Sequence, residues 1–507
     1  MPDRESDRTL DELLAELAER EQRAEDGGGR ARQARQERLG RLTARERVQA
    51  LLDPGSFVEL GRHVLHRTPS EDSEALAANR HPGDGLVCGL GAVGGRTIAV
   101  YAHDPTVLRG ALGHAASQKL CKLLDLAGTR KLPVIALADS DGVRVEEGTL
   151  AIEAYGEVIR RTVKLRGPGG VPQLTLVCGL CVGAAAYCAA LTDVVGMVRG
   201  QSYLFITGPR VTKVATGEDV DLEALGGVDL HAKKTGSCHA AFDNEREGIA
   251  WLQRVCGYLQ AIAPAGDPLD RPTPELGTII PTAERRGYDM RKVVDHLCDE
   301  GSTEELSAAF APNLLTMLAR LGGRAIAVVA SQPQALAGCL DIDASRKGAA
   351  FVRWADRLRL PVLTLVDVPG YLPGQKQEEG GILPHGATLL DAYGAATVPL
   401  VCLVVRKSYG GASVLSFAAD VRLALPTARV APMGADATLE VALGTEKPDA
   451  SDEEKAARAA KRDQFLVRHD HAWAAAESGY LDRVIKPADA RRELAHALLR
   501  LDTRHGG

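Results

Sequence analysis

Two short stretches of this chain carry residues suited to holding a negatively charged oxygen. Val177-Cys178-Gly179-Leu180-Cys181-Val182-Gly183-Ala184-Ala185 and Val404-Val405-Arg406-Lys407-Ser408-Tyr409-Gly410-Gly411-Ala412 each run from an apolar, strand-like segment into small residues that open a helical one. Backbone N–H groups at a helix start have no partner within the helix and carry the positive end of its dipole. Small side chains let a carbonyl oxygen come close to them. Two adjacent N–H groups on one oxygen form an oxyanion hole, worth about 3–4 kcal/mol per donor. One such turn alone reads as tight helix–strand packing. Two at equivalent places leave packing and oxyanion binding as equal readings.

A loop precedes each turn. The first is Asp139-Ser140-Asp141-Gly142-Val143-Arg144 with Glu146-Glu147-Gly148, and the second is Asp367-Val368-Pro369-Gly370 with Gln375 to Gly380. Loops at the carboxyl ends of parallel strands are the usual ligand sites of such sheets. Glu146 and Glu147 could be an acid pair, but side by side on a loop they read as solvated partners of a helix dipole. His103, His114, His239 and His385 lie in no GxSxG, HExxH or GxxxxGK[ST] pattern, so hydrolase, zinc-protease and nucleotide-triphosphatase readings drop away. The lone Cys178-Gly179-Leu180-Cys181 lacks the second pair that zinc would want and reads as buried packing. No metal site is expected.

The elements that hold these turns are written twice. Gly94-Gly95-Arg96 recurs as Gly322-Gly323-Arg324, and Leu132-Pro133-Val134 with Asp139 recurs as Leu360-Pro361-Val362 with Asp367, both at a spacing of 228. Val171-Pro172 and Gly183-Ala184-Ala185 recur as Val398-Pro399 and Gly410-Gly411-Ala412, at 227. Solenoid periods are only about 20–50 residues, so this is a duplicated domain. The first copy reads as strands Gly85–Cys88 and Thr97–Tyr101, a helix near Leu112–Thr129, strand Val134–Ala138, a helix near Ile152–Lys164, strand Gln173–Val177 and helix Ala184–Ala190. Strands alternating with helices predict an α/β fold with mainly parallel pairing. The expected organisation is a charged helical arm (1–40), one domain (41–262), a Pro/Thr/Gly-rich linker (263–287) and a second domain (288–507). The second domain carries a charged helical insertion at Ser451–Arg468 and ends in a helix near Leu501.

Bulk properties fit an enzyme of this size. Of the 507 residues 45% are apolar and only 4% aromatic, so the core is built from Ala, Val and Leu. A net charge of −6 argues against a nucleic-acid partner. No run approaches the ~18–20 apolar residues of a membrane span. Met1 to Glu21 is charged throughout, unlike a signal peptide, so a soluble, cytoplasmic protein is expected.

The wording of several segments resembles one family. Thr43-Ala44-Arg45-Glu46-Arg47 through Leu52-Asp53-Pro54-Gly55-Ser56-Phe57-Val58-Glu59-Leu60, Phe205-Ile206-Thr207-Gly208-Pro209, Thr216-Gly217-Glu218-Asp219-Val220 and Leu225-Gly226-Gly227 carry the resemblance in the first half. Asp367-Val368-Pro369-Gly370-Tyr371-Leu372-Pro373-Gly374 and Arg406 to Ala412 carry it in the second. Over about residues 40–500 they resemble the carboxyltransferase (β) subunit of biotin-dependent acyl-CoA carboxylases, of the propionyl- and acetyl-CoA type rather than the methylcrotonyl type. The resemblance implies two crotonase-like (ClpP/crotonase) ββα-superhelix domains and a hexamer built as a trimer of dimers, with sites where subunits meet. It implies that carboxybiotin arrives on a carrier domain of a partner, and that the α-carbon of an acyl-CoA receives the carboxyl group. No AMKM biotin-attachment motif and no ATP-grasp signature is present. A separate biotin carboxylase/carrier (α) subunit is therefore implied, with no covalently bound cofactor here.

Two oxyanions then need two holes: the thioester oxygen of the acyl-CoA and the ureido oxygen of biotin. The resemblance implies Gly183 and Ala184 for the first, and Gly411 and Ala412 for the second. It requires no side-chain base, because the biotin nitrogen can take the α-proton. Asp141, Gly142, Arg144, Lys407 and Tyr409 are the implied loop contacts. Three departures from the family wording stand out. Ala184 occupies a place usually held by glycine, where a positive φ would be costly. Asp141 replaces another glycine and would oppose a developing negative charge unless it points away. Ser413-Val414 replaces a bulkier Tyr-Asp or Tyr-Ile, with Val414 at the acyl-length position, which implies a roomier, apolar pocket for a longer or branched acyl group, as in fatty-acid or polyketide precursor synthesis. A decarboxylase or transcarboxylase of the same fold, and a catalytically silent subunit, remain alternatives.

Overall fold

The computed structural model describes residues 8–66, 80–167, 169–259, 266–283, 286–445 and 450–501. The chain divides into two compact units, Met1–Gly257 and Tyr258–Gly507.

The first unit is built on strands β1 (Val58–Glu59), β2 (Leu86–Val93), β3 (Arg96–His103), β4 (Val134–Ser140), β5 (Gln173–Val182), β6 (Val194–Val198), β7 (Tyr203–Phe205) and β8 (Ala240–Phe242). They form one sheet in the order β1-β2-β3-β4-β5-β6-β8, with β7 paired to β5. β2 and β3 are an antiparallel hairpin closed by Gly94-Gly95, and β3, β4, β5 and β6 then run parallel. Every residue of β4 is buried, as in a parallel strand covered on both faces. Helices His114–Arg130 and Thr149–Arg166 are the crossover elements, and Leu120, Leu123, Leu124, Tyr155 and Val158 carry their apolar faces into the core.

The second unit repeats this arrangement. Its strands are β9 (Glu304–Leu306), β10 (Leu314–Leu321), β11 (Arg324–Ser331), β12 (Val362–Val368), β13 (Leu400–Tyr409), β14 (Val421–Ala424), β15 (Arg429–Ala431) and β16 (Arg483–Val484). Their order is β16-β14-β13-β12-β11-β10-β9, with β15 paired to β13. β10–β11 is antiparallel and β11 to β14 are parallel. This is the duplication expected from the repeat, in the crotonase-like form that the family resemblance implies.

The helix Ala184–Ala190 lies where expected, whereas β5 runs five residues past Val177 to Val182. The extension has a cause. After a register shift between Ala138 and Ser140, β5 leaves β6 and pairs Leu180, Cys181 and Val182 with Tyr203, Leu204 and Phe205 of β7. The charged insertion is a helix, Asp452–His469, with Ser451 as its N-cap. The described part of the expected linker belongs to the second unit. Thr273 Oγ1 donates to Pro487 O at 2.7 Å, and Arg491 binds the carbonyls of Asp267 and Pro268 at 3.1 and 3.0 Å. Residues 263–265 and 284–285 of that segment, and most of the loop 66–83, lie outside the described residues. No helix among the described residues is long and apolar enough to cross a membrane.

Candidate active site

Each small-residue turn sits where a central parallel strand ends. In the first unit Gly183 has φ 57° and ψ −119°, a conformation essentially restricted to glycine. In the second unit Gly410, its equivalent at a spacing of 227, has φ 60°. The positive φ therefore falls on the retained glycine of each copy. Ala184 opens the helix beyond it and is not among the residues with positive φ, so its Cβ brings no backbone strain.

The donors differ from the sequence expectation at one position. Gly183 N donates to Phe205 O at 3.1 Å, so this amide is already used by β7 and cannot serve an oxyanion. Tyr187 N takes up Gly183 O, which leaves Ala184, Ala185 and Ala186 as the first-turn amides with no acceptor in their own helix. Ala184 and Ala185 thus match Gly411 and Ala412, which follow Gly410 in a single 3-10 turn, Gly410–Ser413. The role of Gly183 is to turn the chain.

The loops arrive at these turns differently in detail. A Cβ on Gly142 would lie 2.5 Å from Val182 O and 3.7 Å from Ala184 N, so the loop after β4 is stacked directly on the first turn. Asp141 does point away: its carboxylate pairs with Arg109 Nε, and its N–H donates to Arg109 O at 3.1 Å. Arg144, expected as a ligand contact, is wholly buried. It donates to Asp84 Oδ1 at 2.7 Å, Glu147 Oε1 at 2.9 Å and Ala111 O at 2.9 Å, and so holds the loop. Glu147 is buried with it and caps the helix at His114 N, 2.7 Å away.

In the second unit Lys407 is half-buried and its N–H donates to Asp367 Oδ1 at 3.2 Å. Tyr409 is buried, its hydroxyl donating to Asp470 at 2.8 Å. Ser413 is half-buried with its hydroxyl 3.2 Å from Ser408 Oγ. Val414 is 0% exposed. At the start of the short helix Val414–Phe417 it therefore presents no surface to an open pocket in this chain.

Electrostatics at the strand ends are compensated within each unit. Asp139 meets Arg47 at 3.0 Å, and Arg47 also holds Glu245 through Nε at 2.8 Å. Burial pushes the Asp139 carboxyl above the usual range, against the pull of Arg47. Asp367 accepts from Arg406 Nε at 2.9 Å and from the Tyr288 hydroxyl at 3.0 Å. Arg406 also stacks over the Tyr288 ring, 4.9 Å from its centroid. Burial drives the thiols of Cys178 and Cys181 far up, so the CxxC pair is inert packing. No group of three His, Cys, Asp or Glu side chains able to hold a metal occurs among the described residues.

Beside the first turn lies a cavity of about 440 Å³. Arg32, Arg35, Arg41 and Arg109 line it together with Leu180, Asp139 and Asp141. The spacing of Arg32 and Arg35 at i,i+3 puts them on one helix face. In the sequence, that signal could not be told from a solvated helix face.

Residues 35–505 match the carboxyl transferase domain family. The chain belongs to that family. It is 42% identical over 503 residues to the propionyl-CoA carboxylase beta chain of Roseobacter denitrificans, covering 97% of each chain. With the human mitochondrial propionyl-CoA carboxylase beta chain it shares 41% over 480 residues, 92% of this chain and 87% of that one. Among solved structures, the transcarboxylase 12S hexamer with hydrolysed methylmalonyl-coenzyme A superposes with a TM-score of 0.92 at 37% identity, covering 98% of this chain and 97% of that one. A single-chain, multi-domain long-chain acyl-CoA carboxylase gives 0.84 at 28%, covering 99% of this chain and 51% of the other. This carboxyltransferase is thus an enzyme, and carboxyl transfer from a biotin-carrying partner to an acyl-CoA is the activity of its kind.

Proposed function

We propose that this carboxyltransferase is the β subunit of an acyl-CoA carboxylase, working in the cytoplasm as a hexamer with a separate biotin carboxylase/biotin carrier α subunit. All ten cysteines are free thiols, as suits a reducing compartment. The first unit serves the acyl-CoA, and the observation that carries this is the arginine-lined cavity beside Leu180. Coenzyme A brings a pyrophosphate and a ribose phosphate, which guanidinium groups bind through paired hydrogen bonds. Removing the α-proton places charge on the thioester oxygen. The amides of Ala184 and Ala185 are already oriented toward the space outside the helix start and need no reorganisation to receive that charge. The amides of Gly411 and Ala412 offer the same service to a second oxyanion, which we assign to the ureido oxygen of biotin.

Two departures favoured a silent subunit, and each has a benign explanation. Asp141 is neutralised by Arg109, and Ala184 lies in helical backbone. By the family resemblance, the small residues Ser413 and Val414 imply an acyl group of short to medium length or with a branch, larger than propionyl, and the burial of Val414 leaves Ser413 as the one of the two open to the turn. Each buried CH2 is worth about 0.8 kcal/mol, so preference should shift several-fold per carbon.

The test is fixation of labelled bicarbonate by the reconstituted α/β complex, with ATP, across acetyl-, propionyl-, butyryl- and longer acyl-CoAs. Fixation that requires the biotinylated partner is expected, with butyryl-CoA or longer preferred. An assembled complex that fixes nothing would show a silent subunit. A wide preference for propionyl-CoA would overturn the reading of Ser413 and Val414.

A further inference from the structure

The arm that opens the first unit is two helices, Leu10–Asp26 and Arg30–Arg38, joined by Gly27-Gly28-Gly29. Its composition is that of a solvated, charged tail. Its placement is not. Gly28 N donates to Thr106 Oγ1 at 2.9 Å on the loop that follows β3. A Cβ on Gly28 would lie 2.0 Å from Thr106 O and 2.4 Å from its carbonyl carbon, so no other residue fits without backbone movement. Gly27 has φ 52°, and a Cβ there would meet Asp104 Oδ2 at 2.5 Å. The contact is locked from both sides. Asp104 Oδ1 accepts from Thr106 N at 2.9 Å, and Arg32 Nη1 donates to Thr106 O at 2.9 Å. Gln33 Nε2 then donates to the carbonyls of Glu25 and Asp26 at 3.1 and 3.0 Å, folding the second helix back on the end of the first.

This joint sets the direction of the helix Arg30–Arg38, and that helix is one wall of the cavity beside the first turn. Arg32, Arg35 and Gln36 come from it, and Leu39 follows it; Arg109 stands on the loop after β3 and Leu180 on β5. The two carboxylates in the cavity are already engaged, Asp139 by Arg47 and Asp141 by Arg109. A positive excess therefore remains in the cavity. We propose that Gly27-Gly28-Gly29 is a docking joint that seats the arm as a wall of the acyl-CoA site, with Arg32 and Arg35 reading the phosphates of the ligand. The inference rests on the assignment of acyl-CoA to the first unit, and it turns a charged tail into part of the binding machinery. Gly28 is then a positioning residue, acting through the two arginines.

The experiment uses the full chain with its α partner, and coenzyme A itself as the binding probe in calorimetry. Gly28→Ala should raise both the KM for acyl-CoA and the Kd for coenzyme A by about tenfold or more, the loss expected from a charge-assisted hydrogen bond. The value of kcat should stay within about twofold, because the amides of the two turns are untouched. Arg35→Ala, a change at an exposed side chain that leaves folding intact, should do the same, and Arg35→Lys should recover part of the loss. Binding of 3′-dephospho-coenzyme A separates the ribose phosphate from the pyrophosphate as the group read. Wild-type affinity for coenzyme A in both Gly28→Ala and Arg35→Ala would overturn the joint. Arg109→Ala separates the two levels of the argument. If Arg109→Ala weakens coenzyme A binding while the arm variants do not, the joint alone fails. If none of the three matters, the assignment of acyl-CoA to the first unit fails with it.

Discussion

Gly179 in the first repeat and Arg406 in the second hold the same place, 227 positions apart, and each lies against the aspartate one residue before the end of the neighbouring strand. A Cβ at Gly179 would sit 2.1 Å from the Asp139 carboxylate, so a side chain is excluded there. Arg406 reaches Asp367 at 2.9 Å from that position. In the first unit the missing guanidinium is supplied from outside the repeat, by Arg47 of the helix Ala44–Leu51. Both strand ends are thus compensated, by different routes.

Arg47 should therefore be the more costly of the two arginines to lose. It is wholly buried and serves both Asp139 and Glu245. Arg47→Met leaves two buried carboxylates unpaired, and breaking such a pair costs about 3–5 kcal/mol. For a unit of this size the melting temperature should fall by roughly 6–20 °C. Arg406→Met should cost less, because Asp367 keeps the Tyr288 hydroxyl and the Lys407 amide. Differential scanning calorimetry of the two variants checks the order, and equal losses would refute it.

Glycine is needed at 183, and alanine at 184 is harmless. Gly183→Ala forces a Cβ into φ 57°, ψ −119°, at a cost of about 1–3 kcal/mol, and tilts the amides that follow. A fall in kcat/KM of tenfold or more is expected. Ala184→Gly keeps the same donor and should stay within about threefold of the parent in kcat/KM. Steady-state kinetics with the α partner decides, and the idea fails if the effects are reversed.

How much of this could be read from the chain follows from which contacts are local. The duplication was legible because it rests on strand and turn residues at fixed spacing, and the structure reproduces the same strand order in both units. The helix Ala184–Ala190 was placed from its own residues alone. The donor at Gly183 was misassigned because its amide goes to Phe205, 22 positions away, through a strand of only three residues. The partner of Asp141 is Arg109 and the anchor of Gly28 is Thr106. Neither pairing leaves a periodicity in the sequence. Val414 carried a specificity expectation that its complete burial does not bear directly.

The second oxyanion turn can be tested by removing one donor. Gly411 is exposed, and a Cβ there would meet nothing closer than Tyr371, at 3.8 Å. A Cβ therefore has room there, and Gly411→Pro deletes the N–H. Losing one oxyanion donor lowers kcat by about 10²–10³-fold. Gly411→Ala keeps the donor and should retain near-parental rate. Bicarbonate fixation measured for both variants decides, and full activity in the proline variant would remove the second hole from the mechanism.

The acid limb of stability should carry a signature of His103. Its ring is buried in the first unit and packs edge-on to Tyr101, 5.7 Å between centroids. Burial pushes its pKa down to about 4, Arg47 adds to the shift, and the Leu137 carbonyl opposes it. The folded ring thus stays neutral where the unfolded one, near 6.5, takes a proton. Between these values the unfolded state binds more protons, so stability falls as pH drops from about 6.5 to 4 and changes no further below that through this group. The loss amounts to roughly 3 kcal/mol. His103→Gln cannot titrate there. At pH 7 it should be the less stable protein through imperfect packing, and its deficit should shrink steadily as the pH is lowered to 4.5. Denaturant unfolding of both proteins at pH 7, 5.5 and 4.5 measures that gap, and a gap independent of pH would show that the ring is not held neutral by burial.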